Sequence, residues 1–171
     1  NFIVANYKAD GGCFDNDDGS SYYSMHHNFC VYGGHKVDFD GHSKISFASI
    51  HLYPMAFFPG CMVVSVQPLP PKGYGETYEG NVCILSEQGA TYMRVDETDL
   101  NDPSQIDGRL MMSNNTVYVP GGANGAAVLG QGGSNVTLAA WLAMGYETGT
   151  KVIDGKPSAS TVIGWAEAML Q

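Results

Sequence analysis

The side chains best suited to chemistry are concentrated between Cys13 and His42. This stretch contains five aspartates, four of the five histidines of the chain, and Lys36. Carboxylates can bind a divalent cation or exchange protons, and imidazole or amine groups can act as bases. The stretch therefore predicts an acid–base or cation-binding site. The alternative is that the aspartates only form turns between strands.

Known metal-binding motifs do not fit this stretch. Counted from Asp15, the fifth and twelfth positions hold Gly19 and His26, where an EF-hand requires a short oxygen ligand and a glutamate. His26 and His27 are adjacent, so on a strand their rings should point to opposite faces and should not chelate one metal. Zinc would need His26 with His35, His42 or His51, and no CxxC or HExxH frame supports that alternative.

Short strands joined by tight turns must position these residues. Glycine and aspartate alternate with short apolar runs throughout the stretch, a pattern that no helix could place on one face. Similar apolar runs around Cys61 and Cys83 lie 22 residues apart, and Val31-Tyr32 recurs as Leu52-Tyr53 at nearly the same interval. A period of about 20 to 25 residues carrying short strands predicts a solenoid.

The cysteines give this prediction a specific test. Stacked strands lie about 4.8 Å apart, within the Cα separation of about 4.4 to 6.8 Å that a disulfide tolerates. We therefore expect a Cys61–Cys83 bridge between adjacent coils, which leaves Cys13–Cys30 as the second bridge. The alternative is an unbridged ladder of stacked thiols.

Composition limits the classes of partner. Eight Lys and Arg against seventeen Asp and Glu give a net charge of -9, which repels the phosphate backbone of nucleic acids. The longest apolar run, around residues 55–66, is broken by Pro59 and Gly60 and is too short to span a membrane. The expected partner is neutral, or is anionic and bridged by a cation such as Ca²⁺.

The cysteines and two sequons favour a secreted glycoprotein. None of the four cysteines lies in a CxxC pair, so disulfides in an oxidising compartment are preferred over buried thiols. Asn114 and Asn135 each begin an N-x-T glycosylation sequon. The chain lacks an initiator Met and a signal-peptide pattern, which suggests a processed product or a piece of a longer protein.

Two regions are expected along the chain. Residues 1–136 should form the coils, beginning with the strand-like run Phe2–Ala5, with loop excursions near 67–80 and 96–108. Residues 137–171 should form a capping segment with two short helices. Leu138, Trp141 and Leu142 share one face of the first helix, and Val162, Trp165, Ala166 and Met169 share one face of the second. Such helices would shield open strand edges.

Three segments together resemble a known superfamily. The run Asp17–Tyr23, the run Asn28–Lys36 and the terminal segment Thr137–Pro157 are similar to the last coils of right-handed parallel β-helix proteins of the pectate-lyase-like superfamily. The resemblance implies an all-β, right-handed parallel β-helix with short C-terminal capping helices. It also implies a secreted protein, a carbohydrate partner, and a chain that is the C-terminal portion of something larger.

The resemblance also implies roles for the polar stretch. A polysaccharide lyase of this kind abstracts a proton from a uronate while a cation neutralises the carboxylate. The corresponding catalytic candidates are Lys36, His35 and Asp38, and the candidate Ca²⁺ ligands are Asp15, Asp17, Asp18 and Asp40. Two carboxylates within reach of each other would instead suit glycoside hydrolysis.

Two functions are therefore expected. The first is an extracellular structural or glycan-associated β-helix that is not catalytic and requires no cofactor. It would belong to a larger assembly in which its open N-terminal coil stacks on a second copy of the chain or on another chain. The second is a polysaccharide lyase or glycoside hydrolase acting on an acidic polysaccharide. The first is preferred because a chain of net charge -9 with two arginines is poorly suited to an anionic substrate.

Overall fold

The computed structural model describes residues 1–4, 12–16, 19–38, 41–54, 59–65 and 67–171. This part of the chain is rich in short strands and contains three short α-helices. The strands are β1 (Phe2–Ile3), β2 (Phe14–Asn16), β3 (Ser24–His26), β4 (Phe29–Val31), β5 (His35–Asp38), β6 (Ile45–Phe47), β7 (Ile50–Leu52), β8 (Met62–Ser65), β9 (Glu76–Glu79), β10 (Val82–Ile84), β11 (Ala90–Val95), β12 (Leu110–Ser113), β13 (Thr116–Val119), β14 (Ala126–Leu129), β15 (Val136–Thr137), β16 (Glu147–Thr148) and β17 (Lys151–Asp154). The helices are α1 (Pro103–Ile106), α2 (Leu138–Ala143) and α3 (Ala159–Ala168).

The strands form three sheets, and from β1 to β14 the strands that pair lie three places apart along the chain. The first sheet has the order β1-β4-β7-β10-β13-β17, the second β2-β5-β8-β11-β14-β15, and the third β3-β6-β9-β12-β16. All pairs are parallel except β14 with β15. We call three consecutive strands, one from each sheet, a repeat, so that β1–β3 form repeat 1, β4–β6 repeat 2, β7–β9 repeat 3 and β10–β12 repeat 4. This order is compatible with a β-solenoid.

The repeats differ in length, unlike the uniform period expected from the sequence. Phe29 pairs with Ile50, 21 positions later, whereas Val82 pairs with Thr116, 34 positions later. The extra residues lie in two excursions between sheets. The first excursion ends where β9 begins at Glu76, which is before the end of the expected loop 67–80. The second excursion contains α1, which lies within the expected loop 96–108.

A repeated turn connects the third sheet to the first. The turn recurs at His27-Asn28, Ala48-Ser49, Gly80-Asn81, Asn114-Asn115 and Gly149-Thr150, where the first residue has a positive φ. From Ser49 onward, the side chain of the second residue accepts from the backbone N–H of the equivalent residue in the preceding turn. Asn81 Oδ1 accepts from the Ser49 N–H at 2.9 Å, and Asn115 Oδ1 accepts from the Asn81 N–H at 2.9 Å. Each turn thus satisfies backbone donors of the turn stacked beside it, which fixes the register between repeats.

A common core lies between the three sheets. Its buried members include Met62 and Met93 of the second sheet, Tyr78 of the third, and Val117 of the first. Helix α2 adds Leu138 and Trp141 to this core, with the Thr137 hydroxyl accepting from the Ala140 N–H as its N-cap.

Helix α3 packs on the outside of the first sheet. Its apolar face, formed by Val162, Trp165, Ala166 and Met169, lies against a cluster that contains Phe29, Ile50 and Ile84. The Trp165 ring is 5.8 Å from the Tyr118 ring, centroid to centroid. Both expected C-terminal helices and their apolar faces are therefore present, and α3 covers a sheet face.

Both expected disulfides are present, although the predicted geometry of one is wrong. Cys13 pairs with Cys30 and Cys61 with Cys83, with Cα separations of 6.1 and 6.0 Å. Cys61 and Cys83 were expected on stacked strands, yet Cys61 directly precedes β8 of the second sheet and Cys83 lies in β10 of the first. The bridge therefore joins two sheets as well as two repeats. Two disulfides are consistent with an extracellular protein.

Within the ranges given above, no helix is long and apolar enough to cross a membrane.

Candidate functional site

Two of the three expected catalytic residues, His35 and Lys36, lie on opposite faces of one strand. Strand β5 places successive side chains on opposite faces. His35 therefore points into the core, where it is 1% exposed, whereas Lys36 pairs with Asp15 of the neighbouring strand β2, with Nζ 2.9 Å from Oδ1. For Asp38 the structure describes the backbone, at the end of β5.

The expected cation-binding group is largely outside the described residues. Asp17, Asp18 and Asp40 lie there, so the structure does not test their role as Ca²⁺ ligands. The Asp15 carboxylate, which is described, forms its ion pair with Lys36. Among the described residues, no group of three His, Cys, Asp or Glu side chains is placed to hold a metal.

The core contains two histidines that are held neutral. Burial lowers the pKa of His35 to about 3, with further lowering from His51 and Lys44, and burial lowers the pKa of His51 to about 4 against an opposing effect of the Gly33 backbone. Neither ring has a well-formed hydrogen bond to any described residue. With such pKa values, both rings remain uncharged at neutral pH.

A buried ion pair contains Lys44, whose charge acts on His35. Lys44 Nζ is 3.3 Å from Glu76 Oε1 and donates to the Ser20 carbonyl at 3.0 Å, while the Lys44 N–H donates to Glu76 Oε2 at 2.9 Å. Burial raises the pKa of Glu76, and Lys44 opposes that rise. The pair links repeat 2 to repeat 3 from within the core.

A second buried carboxylate, Glu147, accepts four hydrogen bonds from described residues. Tyr92, Asn115 and Thr150 donate to Oε1, and Trp141 Nε1 donates to Oε2 at 3.1 Å. Burial and the nearby Glu147 charge raise the pKa of Tyr92 well above its ordinary value. These donors satisfy the carboxylate, so the arrangement is a structural clamp on the last repeats and not an open site.

The accessible candidate site is a groove on the outer face of the third sheet. The groove has a volume of about 580 Å³. Outward side chains of β9, β12 and β16 form its floor, and residues near α1 and the end of α2 form its walls. The floor side chains are Thr77, Glu79, Met111, Ser113 and Thr148, and the wall includes Ile106, Asp107 and Tyr146.

The groove is polar, uncharged in most places and locally acidic. Among the described residues, none of the side chains that line it is basic. The Asp107 carboxylate accepts from Lys72 Nζ at 2.6 Å, and Glu79 is the acidic side chain of the floor. Burial, with help from Asp102 and Asp99, raises the pKa of the Tyr146 hydroxyl, so this group stays a hydrogen-bond donor.

Aromatic rings extend the same outer face toward repeat 1. Phe47 is the neighbour of Glu79 in the β6–β9 register, and the His26 ring stacks on the Phe47 ring at 4.9 Å. At the opposite end of the same sheet, before β3, β6 and β9 begin, the His42 ring lies between the exposed rings of Tyr22 and Tyr74, at 5.2 and 5.1 Å. Flat apolar rings next to hydroxyl groups form a surface that suits sugar rings.

The sequence did not single out the groove residues, because their outward position depends on register. Buried and outward positions do alternate in β9 and β12, but their sequences, ETYE and LMMS, carry no matching alternation of apolar and polar residues. Both sequon asparagines, Asn114 and Asn135, are exposed. Their glycosylation stays a prediction.

Comparison of the chain with protein-family models, with curated proteins and with solved structures gives no match.

Proposed function

We propose that this chain is part of a right-handed parallel β-helix of the pectate-lyase-like kind, and that it is an extracellular, glycan-associated protein without a catalytic role. The observation that carries the proposal is the groove on the outer face of the third sheet. Its floor offers hydroxyl groups from Thr77, Ser113 and Thr148, which match the hydrogen-bonding pattern of a sugar. The Tyr146 ring and the Met111 side chain supply apolar contact area.

The charge of the groove favours a neutral glycan. Glu79 and Asp107 are the ionisable floor and wall residues, and the chain carries a net charge of -9. An anionic polysaccharide would meet repulsion at this surface unless a cation such as Ca²⁺ bridged the two. A neutral polysaccharide requires no such ion.

Binding can be tested with one substitution in the floor and a matched control. Met111 and Ile153 are exposed to similar extents, 41% and 38%, but Ile153 lies on the first sheet. We expect Met111→Lys to weaken binding to neutral polysaccharides (xylan, mannan or a soluble β-glucan) at least tenfold in affinity electrophoresis, and Ile153→Lys to leave it unchanged. Binding of Met111→Lys as tight as that of the native chain, or no binding to any glycan, would contradict the proposal.

Glycoside hydrolysis is the second candidate, because the same groove contains two carboxylates, Glu79 and Asp107. Polysaccharide lysis is less well supported, since its proposed base Lys36 is ion-paired and His35 is buried. Incubation with acidic polysaccharides, with and without Ca²⁺, separates these activities. Absorbance from an unsaturated product that disappears in Lys36→Ala would favour the lyase, and reducing ends lost in Glu79→Gln would favour the hydrolase.

The proposed assembly rests on the outermost strands. β1, β2 and β3 each end the strand order of their sheet. Unpaired backbone groups on such edges favour pairing with a further strand. We propose that another coil of the same kind, from this protein or from a second chain, covers them. A clean monomer in sedimentation experiments on this chain would argue against pairing between copies.

A further inference from the structure

Two adjacent histidines converge on the surface of the third sheet. His26 ends β3, and His27 follows it with a φ of 51°, in the left-handed region. This turn brings the two rings to the same side, and their Nδ1 atoms lie 2.9 Å apart. The expectation that the rings point to opposite faces is therefore wrong, because β3 stops one residue before His27.

The neighbouring Phe47 holds both rings in place. The His26 ring stacks on Phe47 at 4.9 Å with an interplanar angle of 24°, and the His27 ring meets Phe47 edge-on at 6.2 Å. Phe47 is the strand partner of His26 in the β3–β6 register. The two imidazoles are thus positioned by packing while both remain exposed to solvent.

The separation of the two nitrogens indicates which metal would fit. Imidazole nitrogens bind first-row divalent metals at about 2.0 to 2.1 Å, so two nitrogens 2.9 Å apart subtend an angle of about 90° at a shared ion. A tetrahedral angle would require a separation of about 3.3 Å at the same bond lengths. Right angles belong to square-planar or tetragonal centres, which Cu(II) and Ni(II) adopt, and Cu(II) binds such ligands more tightly.

We propose that His26 and His27 form a two-histidine binding site for Cu(II), with water in the remaining positions. Without metal, one Nδ1–H can donate to the other Nδ1 across the 2.9 Å gap. Binding requires a lone pair from both Nδ1 atoms, so the shared proton moves to the Nε2 atom of the donor ring. Protonated imidazole is not a ligand, and binding therefore weakens on acidification. Neither histidine lines the proposed glycan groove, although both lie on the same outer face of the third sheet.

The test is a titration of the untagged chain with CuSO₄, followed by calorimetry and by electron paramagnetic resonance. His26→Phe retains a ring on Phe47, and His27→Asn retains a residue that tolerates positive φ. We expect one Cu(II) per native chain, with hyperfine coupling to two nitrogens. Each single variant should bind at least tenfold more weakly, and His42→Gln, which leaves the pair intact, should bind as the native chain does.

Three results would overturn the site. In the first, His26→Phe or His27→Asn binds Cu(II) as tightly as the native chain does. In the second, either variant still shows hyperfine coupling to two nitrogens. In the third, the native chain binds Cu(II) no more tightly than the chain with both substitutions. ZnCl₂ titrated under the same conditions should bind more weakly, and tighter binding of Zn(II) would contradict the tetragonal geometry. Circular dichroism of each variant checks that the fold is retained.

Discussion

Acidification should destabilise this fold through His35 and His51. Both histidines have folded-state pKa values, about 3 and about 4, that lie below the ordinary value of 6.5. Below pH 6.5 the two histidines therefore bind protons in the unfolded chain that they do not bind in the folded chain. Their stabilising contribution is complete above pH 6.5 and is lost as the pH falls from 6.5 toward the folded-state pKa values.

The size of the effect follows from these values. At pH 4 the folded state should have lost about 3 kcal/mol for each histidine, and the free energy of unfolding should fall by about 1.4 kcal/mol per pH unit per histidine on the way. Lys44 adds to the lowering at His35, and the Tyr78 ring lies 6.1 Å from that of His51 without supplying a hydrogen bond. Glu76 acts in the opposite direction, because its raised pKa lets the folded state accept a proton first.

Guanidinium unfolding, followed by tryptophan fluorescence at pH 7.5, 6.5, 5.5 and 4.5, measures the slope of the free energy of unfolding against pH. We expect His35→Leu and His51→Leu each to reduce it by about 1.4 kcal/mol per pH unit below pH 6.5, since each removes one differential proton. The core variant Val117→Ala, which removes no titratable group, serves as the control and should keep the native slope. If all four proteins show the same pH dependence, the two buried rings do not carry the effect and the reasoning fails.

Two further predictions concern the core and the turns. Lys44→Met should lower the free energy of unfolding by about 3 to 5 kcal/mol, because it leaves the Glu76 carboxylate buried without its cation. Adding Glu76→Leu to this variant should recover most of the loss. A double variant that is as unstable as the single one in guanidinium unfolding would refute this prediction. Asn81→Ala should cost about 2 kcal/mol by removing the acceptor of the Ser49 N–H and the donor to the Ser46 carbonyl, and an unchanged unfolding midpoint would show that the turn ladder contributes little.

The stacking of parallel strands could be predicted because it leaves a pattern in the sequence. Val31 and Leu52, which recur at the expected interval, are direct strand partners. The predicted disulfide between Cys61 and Cys83 is confirmed. The predicted reason for it, that the two residues lie on stacked strands of one sheet, is wrong, because Cys61 precedes a strand of the second sheet and Cys83 lies in the first. Excursions of variable length break the link between sequence interval and stacking.

The polar interior could not be predicted because strands of three or four residues show too little alternation. His35 and Lys36 are both polar and both buried, and only the register of β5 decides that the imidazole points into the core while the amine pairs with Asp15 on the other face. The turn ladder did leave a usable signal. Gly80-Asn81 and Asn114-Asn115 each pair a residue that tolerates positive φ with a short side chain that caps backbone.

The placement of the two disulfides has a mechanical consequence. Cys13–Cys30 ties repeat 1 to repeat 2, and Cys61–Cys83 ties repeat 3 to repeat 4, so every cysteine is used and the boundary between repeats 2 and 3 has no sulfur bridge. Lys44 and Glu76 span that boundary by electrostatic attraction. Among the boundaries between repeats 1 to 4, this one should therefore open first under a pulling force along the stack, because a disulfide holds each of the other two.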